Sequence, residues 1–356
     1  MIIVTGGAGF IGANFILQWI DKEKSSVLTL DKLTYAGNLN NLAKLELNPR
    51  HTFVKGDIGD RHLVAELLKK HSPTAIVNFA AETHVDRSIY NPEQFVKANV
   101  NGTCALLDET LKYWKQLPAP EQEQFRFLHI STDEVFGSLA PDARASKEGD
   151  PYAPNSPYAA SKASADHFVR AYYHTYRMPT ITTYASNNFG PYQFPEKLIP
   201  LIIVSALQGK PLPLYGDGLQ IRNWLLVEEH CQALRLVLAK GLPGESYNIG
   251  GRHEVTNREL VTLICEILDA LKPDSPYLPH RSLIKYVKDR PGHDRRYALD
   301  SSKMLNQFGW NSSPDLKSAL QQTVAWYLEN LRWVENVISG DYKQWMNVHY
   351  SDKESV

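Results

Sequence analysis

Cysteine is scarce in this chain: three residues among 356, Cys104, Cys231 and Cys265, lie far apart. So small and scattered a set builds no disulfide framework and offers no Cys-x-x-Cys or Cys/His cluster for zinc, so no metal is expected and a reducing, cytoplasmic setting fits. A dominant charge is missing too. Lys and Arg number 38 against 39 Asp and Glu, a formal charge of -1. With no global positive field to draw the chain to nucleic acid or anionic lipid, any anion site must be local. Long hydrophobic runs are absent as well. The longest, residues 198–207, is too short to span a bilayer and contains Pro200 and Ser205. The chain opens on a buried-strand pattern, without the basic segment and apolar stretch of an export signal. Neither nucleic acid nor a membrane is expected as a partner, and no internal repeat is found.

What is present is alternation. Short β-rich runs at 2–4, 27–31, 52–54, 75–79, 127–131 and 180–184 alternate with amphipathic stretches at 10–20, 61–70, 92–114 and 157–176. This pattern predicts an α/β fold: a doubly wound parallel sheet of the Rossmann type with helices on both faces. Ligands of such sheets bind beyond the carboxyl ends of the strands. After about residue 188 the texture changes to Pro- and Gly-punctuated segments mixed with helical stretches at 227–240, 257–271 and 315–330. The expected organisation is a dinucleotide-binding domain over 1–188, a smaller mixed α/β lobe mainly over 189–350, and a charged tail over 351–356. Some later segments can return to the first sheet.

The glycines follow the first strand. Gly6, Gly9 and Gly12 fit G-x-x-G-x-x-G, while Gly7, Gly9 and Gly12 fit G-x-G-x-x-G. In both registers glycine permits a tight turn and lets the backbone approach a pyrophosphate at a helix N-terminus. Asp31 ends the second strand about twenty residues on, where a carboxylate can accept bonds from ribose hydroxyls and repel a 2'-phosphate. NAD is therefore expected rather than NADP. Lys32 either pairs with a phosphate or is solvated. Asp57 and Ile58 follow the third strand, as adenine-side contacts or as an ordinary turn.

Two further segments carry chemistry. Tyr158 and Lys162 are four apart, hence on one helix face, and an ammonium aided by oxidised nicotinamide would favour the phenolate and make Tyr158 a base. Thr132 can hydrogen-bond the same substrate hydroxyl. Asp133 and Glu134 are adjacent, so they would point in opposite directions if the backbone stayed extended. If both enter one site, one must remain protonated as an acid while the other acts as a base. A hexose gives such a pair a purpose: oxidation at C4 acidifies the C5 proton, Glu134 can remove it, and Asp133 can protonate the departing C6 hydroxyl.

At this point the chain resembles the nucleotide-sugar branch of the extended short-chain dehydrogenase/reductase family and, within it, the dTDP-glucose 4,6-dehydratases. The segments that carry the resemblance are Asp31-Lys32-Leu33-Thr34-Tyr35-Ala36-Gly37-Asn38-Leu39, Ala80-Ala81-Glu82-Thr83-His84-Val85-Asp86-Arg87-Ser88-Ile89 and Ser131-Thr132-Asp133-Glu134-Val135. Others are Ser186-Asn187-Asn188-Phe189-Gly190-Pro191-Tyr192, Pro195-Glu196-Lys197-Leu198-Ile199-Pro200 and Asp289-Arg290-Pro291-Gly292-His293-Asp294-Arg295-Arg296-Tyr297. The resemblance extends from Ile2 to about Tyr350. It implies a lyase that converts dTDP-glucose to dTDP-4-keto-6-deoxyglucose, for deoxysugar synthesis of the rhamnose kind, with Asp133 as acid, Glu134 as base and Tyr158 as the oxidation-step base.

It further implies NAD contacts at Phe10, Ile11, Asp31, Lys32, Leu33, Thr34, Asp57, Ile58, Phe79, Ala80, Ala81, Glu82, Thr83, Tyr158, Lys162 and Asn188. Substrate contacts would fall at Thr83, Thr132, Asn187, Lys197, Leu198, Pro213, Leu214, Tyr215, Arg222, Asn257, Asp289, Arg290, Pro291, Gly292 and His293. Lys197, Arg222 and Arg290 suit a diphosphate. A homodimer through the helices near 92–114 and 157–176 is implied as well. Phe136 and Phe189 stand where the family leads one to expect tyrosine, Ala185 where cysteine is common, Asn223 where aspartate is usual and Leu226 where tyrosine is usual. The competing readings are a nucleotide-sugar 4-epimerase, which shares the glycines and Tyr/Lys pair but has no need of Asp133 and Glu134, a dehydratase acting on another nucleoside-diphosphate hexose, and a noncatalytic NAD-binding regulator.

Overall fold

The computed structural model describes residues 1–313 and 315–338. The tail expected over 351–356 and the last residues assigned to the second lobe, 339–350, lie outside the described residues. The first six strands are β1 (Ile2–Thr5), β2 (Val27–Asp31), β3 (His51–Lys55), β4 (Ala75–Asn78), β5 (Arg126–Thr132) and β6 (Thr180–Ala185). They form one parallel sheet with a seventh strand, Ser246–Ile249, in the order 246–249, β6, β5, β4, β1, β2, β3. β1, β2, β4 and β6 are buried along their whole length, which accounts for near-continuous apolar runs where alternation would mark a one-faced sheet. The order reverses between β1 and β4. That is the topological switch point at which such sheets leave a crevice.

Helix Phe10–Lys22 covers one face of this sheet together with helix Val227–Lys240, whose Val227, Leu234 and Val237 share a core with Phe15, Ile16 and Val77. A stretch late in the chain thus completes the packing of the first sheet. On the other face, Leu67, Leu106 and Val169 of three helices pack on Ile3, Leu28 and Phe127.

The stretch 92–114, expected as one helix, is helical throughout, but between Pro92–Phe95 and Thr103–Trp114 its winding widens into a π-helical stretch, Val96–Gly102. The wider turns present Asn99 inward. Its amide accepts from Glu82 N at 2.8 Å and donates to Glu82 O at 3.0 Å and Ser161 Oγ at 2.9 Å, tying the segment after β4 to the helix that carries Tyr158. A π-bulge at such a place is a common device for aiming a side chain.

The remaining chain forms a mixed lobe. Ile221–Leu226 pairs antiparallel with His253–Thr256 and parallel with Asn187–Phe189, while Leu212–Tyr215 pairs parallel with Ile284–Val287. Helices Leu198–Leu207, Asn257–Leu271, Leu316–Glu329 and Leu331–Ile338 enclose a second core containing Ile203, Ile264, Val324 and Trp333. Thr256 and Glu259 close a reciprocal capping box at the start of Asn257–Leu271. Among the described residues no helix is long and apolar enough to cross a membrane. Phe15 is fully buried and its ring meets Trp19 at 5.6 Å and Phe79 at 5.4 Å. Phe15→Ala should therefore destabilise the fold by about 3–5 kcal/mol, read as a lower urea midpoint.

Candidate active site

A cavity of about 480 Å³ opens at the switch point, floored by the glycine turn and the ends of β4, β5 and β6. Gly6, Gly9 and Gly12 line it and Gly7 does not, which separates the two glycine registers. Gly6 has φ +67°, and a Cβ on Gly12 would stand 2.4 Å from Gly6 O. A Cβ on Gly7 would instead strike the Ile16 side chain at 2.5 Å, so that glycine serves helix packing. Gly9 is the N-cap of helix Phe10–Lys22 and supplies no side-chain cap, leaving the first N–H groups of the helix directed at the cavity.

At the end of β2, Asp31 accepts hydrogen bonds from Ala8 N at 2.9 Å and Leu33 N at 2.7 Å, while burial pushes its carboxyl up. These bonds hold the carboxylate against the glycine turn. Lys32 does more than face solvent: its ammonium pairs with Asp57 Oδ2 at 2.7 Å. Asp57 also accepts from Gly59 N at 2.8 Å, so the turn and the cavity wall are one feature. Every residue expected at the cofactor lines this cavity except Leu33. Leu33 has φ +56° and packs on the first core, where its backbone makes the turn that follows Asp31.

The reacting end lies past β5. The strand stops at Thr132, which caps a 3₁₀ turn, Asp133–Phe136, by accepting from Glu134 N at 3.3 Å and donating to Asp133 Oδ1 at 3.2 Å. The backbone leaves extended geometry at the residue where two adjacent acids would otherwise diverge. Both now line the same cavity as Tyr158. Gly137 ends the turn at φ +79°, where a Cβ would lie 2.2 Å from Ala153 O.

Asp133 is 4% exposed, and its Oδ2 has no hydrogen-bond partner among the described residues. Burial, followed by the charge of Glu134, pushes its carboxyl up to about 8, against the opposing pull of Arg222 and Thr132. Glu134 is also raised by burial, but Arg290, Arg222 and Lys197 act to keep it charged. The two carboxyls are driven apart: burial and its neighbour's charge favour the protonated form at Asp133, while three cations favour the carboxylate at Glu134, the separation that an acid and a base on adjacent residues require.

Helix Pro157–Tyr176 supplies the other pair. Pro157 occupies its first turn and Ser156 caps it by accepting from Ala159 N at 3.1 Å. Tyr158 and Lys162 consequently sit one turn apart near the helix start, both buried. Burial, and after it the charge of Glu134, push the Tyr158 phenol up, with a Thr132 hydrogen bond opposing. Lys162 donates to Ile130 O at 2.7 Å and is itself pushed down to about 8 by burial.

Of the residues expected at a substrate, Thr83, Thr132, Asn187 and Lys197 line the cavity, and Lys197 Nζ donates to Thr83 O at 3.0 Å. The others stand in the second lobe. Arg222 and Arg290 act on Glu134 electrostatically; Arg222 donates to Asp294 O at 2.9 Å and Arg290 pairs with Asp86 at 2.9 Å. Tyr215 donates to the same Asp86 at 3.2 Å, and Asn257 is buried with its Oδ1 unpartnered among the described residues. His293 bonds Asp289 at 2.6 Å, with Pro291 and Gly292 exposed between them. Leu214 is 1% exposed and Leu198 packs on the second core, so their side chains serve packing. Pro213 is half-buried beside Leu214. The positions expected to be tyrosine or aspartate behave differently again: Phe136 packs edge-on to Tyr152 and Tyr184, and Asn223 donates to Gly251 O at 2.6 Å.

Sequence reasoning missed Gln94, Lys97, Ala98, Ser131, Gln193 and Glu196, which also line the cavity. Lys97 and Ala98 lie on the π-helical stretch, where no helical period would find them. Ser131 and Glu196 adjoin Thr132 and Lys197 and could have been read from that adjacency. Among the described residues no group of three or more His, Cys, Asp or Glu could hold a metal, and all three cysteines are free thiols.

Comparison with known proteins places this geometry. Residues 3–323 match the family model described as GDP-mannose 4,6 dehydratase. The chain is 56% identical over 341 residues to the dTDP-glucose 4,6-dehydratase of Xanthomonas campestris pv. campestris (strain B100), covering 96% of this chain and 97% of that protein. It is 44% identical, at a TM-score of 0.85, to the crystal structure of dTDP-glucose 4,6-dehydratase from Streptomyces venezuelae with NAD bound, covering 94% of this chain and 99% of that one. A UDP-glucose 4-epimerase from Thermotoga maritima is similar in fold, with a TM-score of 0.80, but only 26% identical, covering 93% of this chain and 99% of that one. The family match over most of the chain and the high identity to named relatives agree with the acid pair, the Tyr/Lys helix and the glycine turn: the chain belongs to the nucleotide-sugar 4,6-dehydratase family, on its dTDP-glucose 4,6-dehydratase branch.

Proposed function

We propose that this protein is a lyase that converts dTDP-glucose to dTDP-4-keto-6-deoxyglucose and water, using bound NAD. The observation that carries the reading is the turn after β5, which brings Asp133, Glu134 and Tyr158 to one cavity beside the glycine turn. NAD fits the residues present: uncapped helix N–H groups for the pyrophosphate, the buried Asp31 carboxylate for ribose hydroxyls, and the Phe79 to Thr83 strand end along the ring. Bound there, NAD would supply the hydride acceptor for oxidation at C4 of the hexose and, once reduced, the hydride donor for C6.

The chain's own groups do the rest. Tyr158, with Thr132 at the same hydroxyl, removes the C4 hydroxyl proton. Glu134 takes the C5 proton, made acidic by the neighbouring ketone, and Asp133 gives its proton to the C6 oxygen so that water leaves; as hydride adds to C6, Glu134 returns a proton, exchanged with solvent, to C5. Arg222, Arg290 and Lys197 bind the diphosphate of the substrate. A 4-epimerase would need no acid and base at Asp133 and Glu134. We place the protein in the cytoplasm, in keeping with its three free thiols. We further propose a homodimer through the helices that contain Val96 and Tyr176. Phe168, Tyr172 and Tyr176 recur every four residues on Pro157–Tyr176, and Phe168 and Tyr176 are exposed.

Incubated with dTDP-glucose in heavy water, the protein should release a 4-keto product with a C6 methyl group and deuterium at C5, seen by NMR; dTDP-galactose alone would instead select the epimerase. Variants should separate the steps. Glu134→Gln should slow elimination by about 10²–10⁴-fold while reduced nicotinamide accumulates, and Tyr158→Phe should suppress formation of reduced nicotinamide by a comparable factor. Elimination also needs Asp133 protonated, a state present below its raised pKa of about 8. Its rate in single turnover should therefore fall as pH rises through that value, and an elimination rate flat from pH 7 to 9 would remove Asp133 as the acid.

A further inference from the structure

Behind the cavity wall a second buried carboxylate, Asp166, lies one helical turn beyond Lys162 on the same helix. It does not line the cavity, and its surroundings are otherwise neutral. Asp166 Oδ2 accepts from Ser131 Oγ at 2.6 Å and from Tyr152 OH at 3.3 Å; Tyr152 in turn shares a 2.6 Å hydrogen bond with Tyr184. Asp166 Oδ1 stands 3.3 Å from His129 Nε2 and accepts no well-aligned hydrogen bond from the described residues.

His129, fully buried on β5, decides what this carboxylate can do. Asn78 Nδ2, which can only donate, meets His129 Nδ1 at 3.1 Å, so Nδ1 is an acceptor and the ring proton of the neutral imidazole is on Nε2. Thr5 Oγ1 donates to the other end of that amide, Asn78 Oδ1, at 2.6 Å. Burial, then the charge of Lys162, hold the imidazole pKa down to about 4, so it carries no charge that could balance Asp166. Its Nε2 lies 3.4 Å from Lys162 Nζ and 3.3 Å from Asp166 Oδ1, a neutral ring lodged between ammonium and carboxylate.

We infer that Asp166 is a positioning residue for the reaction: it is the buried anion that keeps Lys162 an ammonium ion, with neutral His129 as the spacer between them. This deepens the reading above, in which Lys162 serves Tyr158. The groups facing Lys162 and Asp166 are His129 and Ser131 from β5, Tyr152 from the following loop, Tyr184 from β6, and Tyr158 on their own helix; Asp133 and Glu134 lie on the cavity side. None of these is a cation. Burial drives Lys162 toward the neutral amine and Asp166 opposes it, while at Tyr158 the same carboxylate acts directly against the phenolate, behind burial and Glu134 in size. Without the carboxylate, Lys162 should lose its proton at lower pH, and the site would lose the ammonium needed beside a developing phenolate.

Asp166→Asn tests this, because the amide oxygen still accepts from Ser131 and Tyr152 while the charge is gone. The first readout is the Lys162 titration followed by NMR of protein with ¹³Cε-labelled lysine, the signal identified by its loss in Lys162→Arg. The midpoint should fall by about one pH unit or more in Asp166→Asn. The second is the single-turnover rise of reduced nicotinamide: at pH 8 to 9 it should be about tenfold slower than in the wild type, with KM for the sugar nucleotide changed less than twofold. An unchanged Lys162 midpoint overturns the proposal, whatever the activity. Should Asp166→Asn not fold, the native protein supplies the test: the Asp166 carboxyl carbon must shift as Lys162 loses its proton, and a signal flat through that titration overturns it equally. Wild-type protein that forms no 4-ketone would refute the proposed function, whereas the Lys162 titration stands apart from turnover.

Discussion

Two carboxyl groups on neighbouring residues, taken out of water together, cannot both hold a charge without help. That constraint organises the region beyond β5. Thr132 bends the backbone into a 3₁₀ turn, burial penalises both anions, and the two acids separate by what surrounds each: Asp133 faces Glu134 and few compensating groups, while Glu134 meets Arg290, Arg222 and Lys197. A protonated acid and an ionised base can thus occupy adjacent positions. The division of labour comes from desolvation and from cations contributed elsewhere in the chain.

Those cations explain why the second lobe is part of the site. Lys197 reaches back to the Thr83 carbonyl, Arg290 is held by Asp86 on the short helix Val85–Tyr90, and Arg222 is held by the Asp294 carbonyl beneath the Tyr297 ring. Each cation is anchored before it acts on Glu134, so little rearrangement is needed to keep the charge in place. The same logic operates on the opposite side of the cavity, where Lys162 faces a neutral imidazole backed by Asp166. The chemistry at the surface of the cavity depends on charges set one layer behind it.

Much of the first sheet could be read directly. Val27–Asp31 and Pro157–Tyr176 fall where the pattern places them, because a strand buried on both faces and a helix with Pro at its start and a serine cap carry strong local signals. The π-helical winding within 92–114 could not be read, since it is held by Asn99 bonding to Glu82 and Ser161, neither near it in sequence. Nor could the pairing of Ser246–Ile249 with β6: a four-residue run has no periodicity that names its neighbour. At the site, the glycines, Asp31, Tyr158 and Lys162 were legible from spacing, whereas Leu33 was placed at the cofactor by resemblance and instead makes a left-handed turn.

By itself the sequence determined the components: a strand-glycine-helix unit with an acid at the next strand end, a Tyr and Lys one helical turn apart, and two adjacent carboxyls after a buried strand. These are local matters, set by backbone sterics, helical periodicity and burial pattern. Only the tertiary structure decided that Asp133 and Glu134 line the same cavity, that burial and its neighbour's charge push Asp133 up, and that Arg222, Arg290 and Lys197 act on Glu134 in the opposite sense. The reason is physical: the charge state of a buried group depends on desolvation and on the field of charges brought close by folding, and residues 134 and 290 are neighbours only in three dimensions.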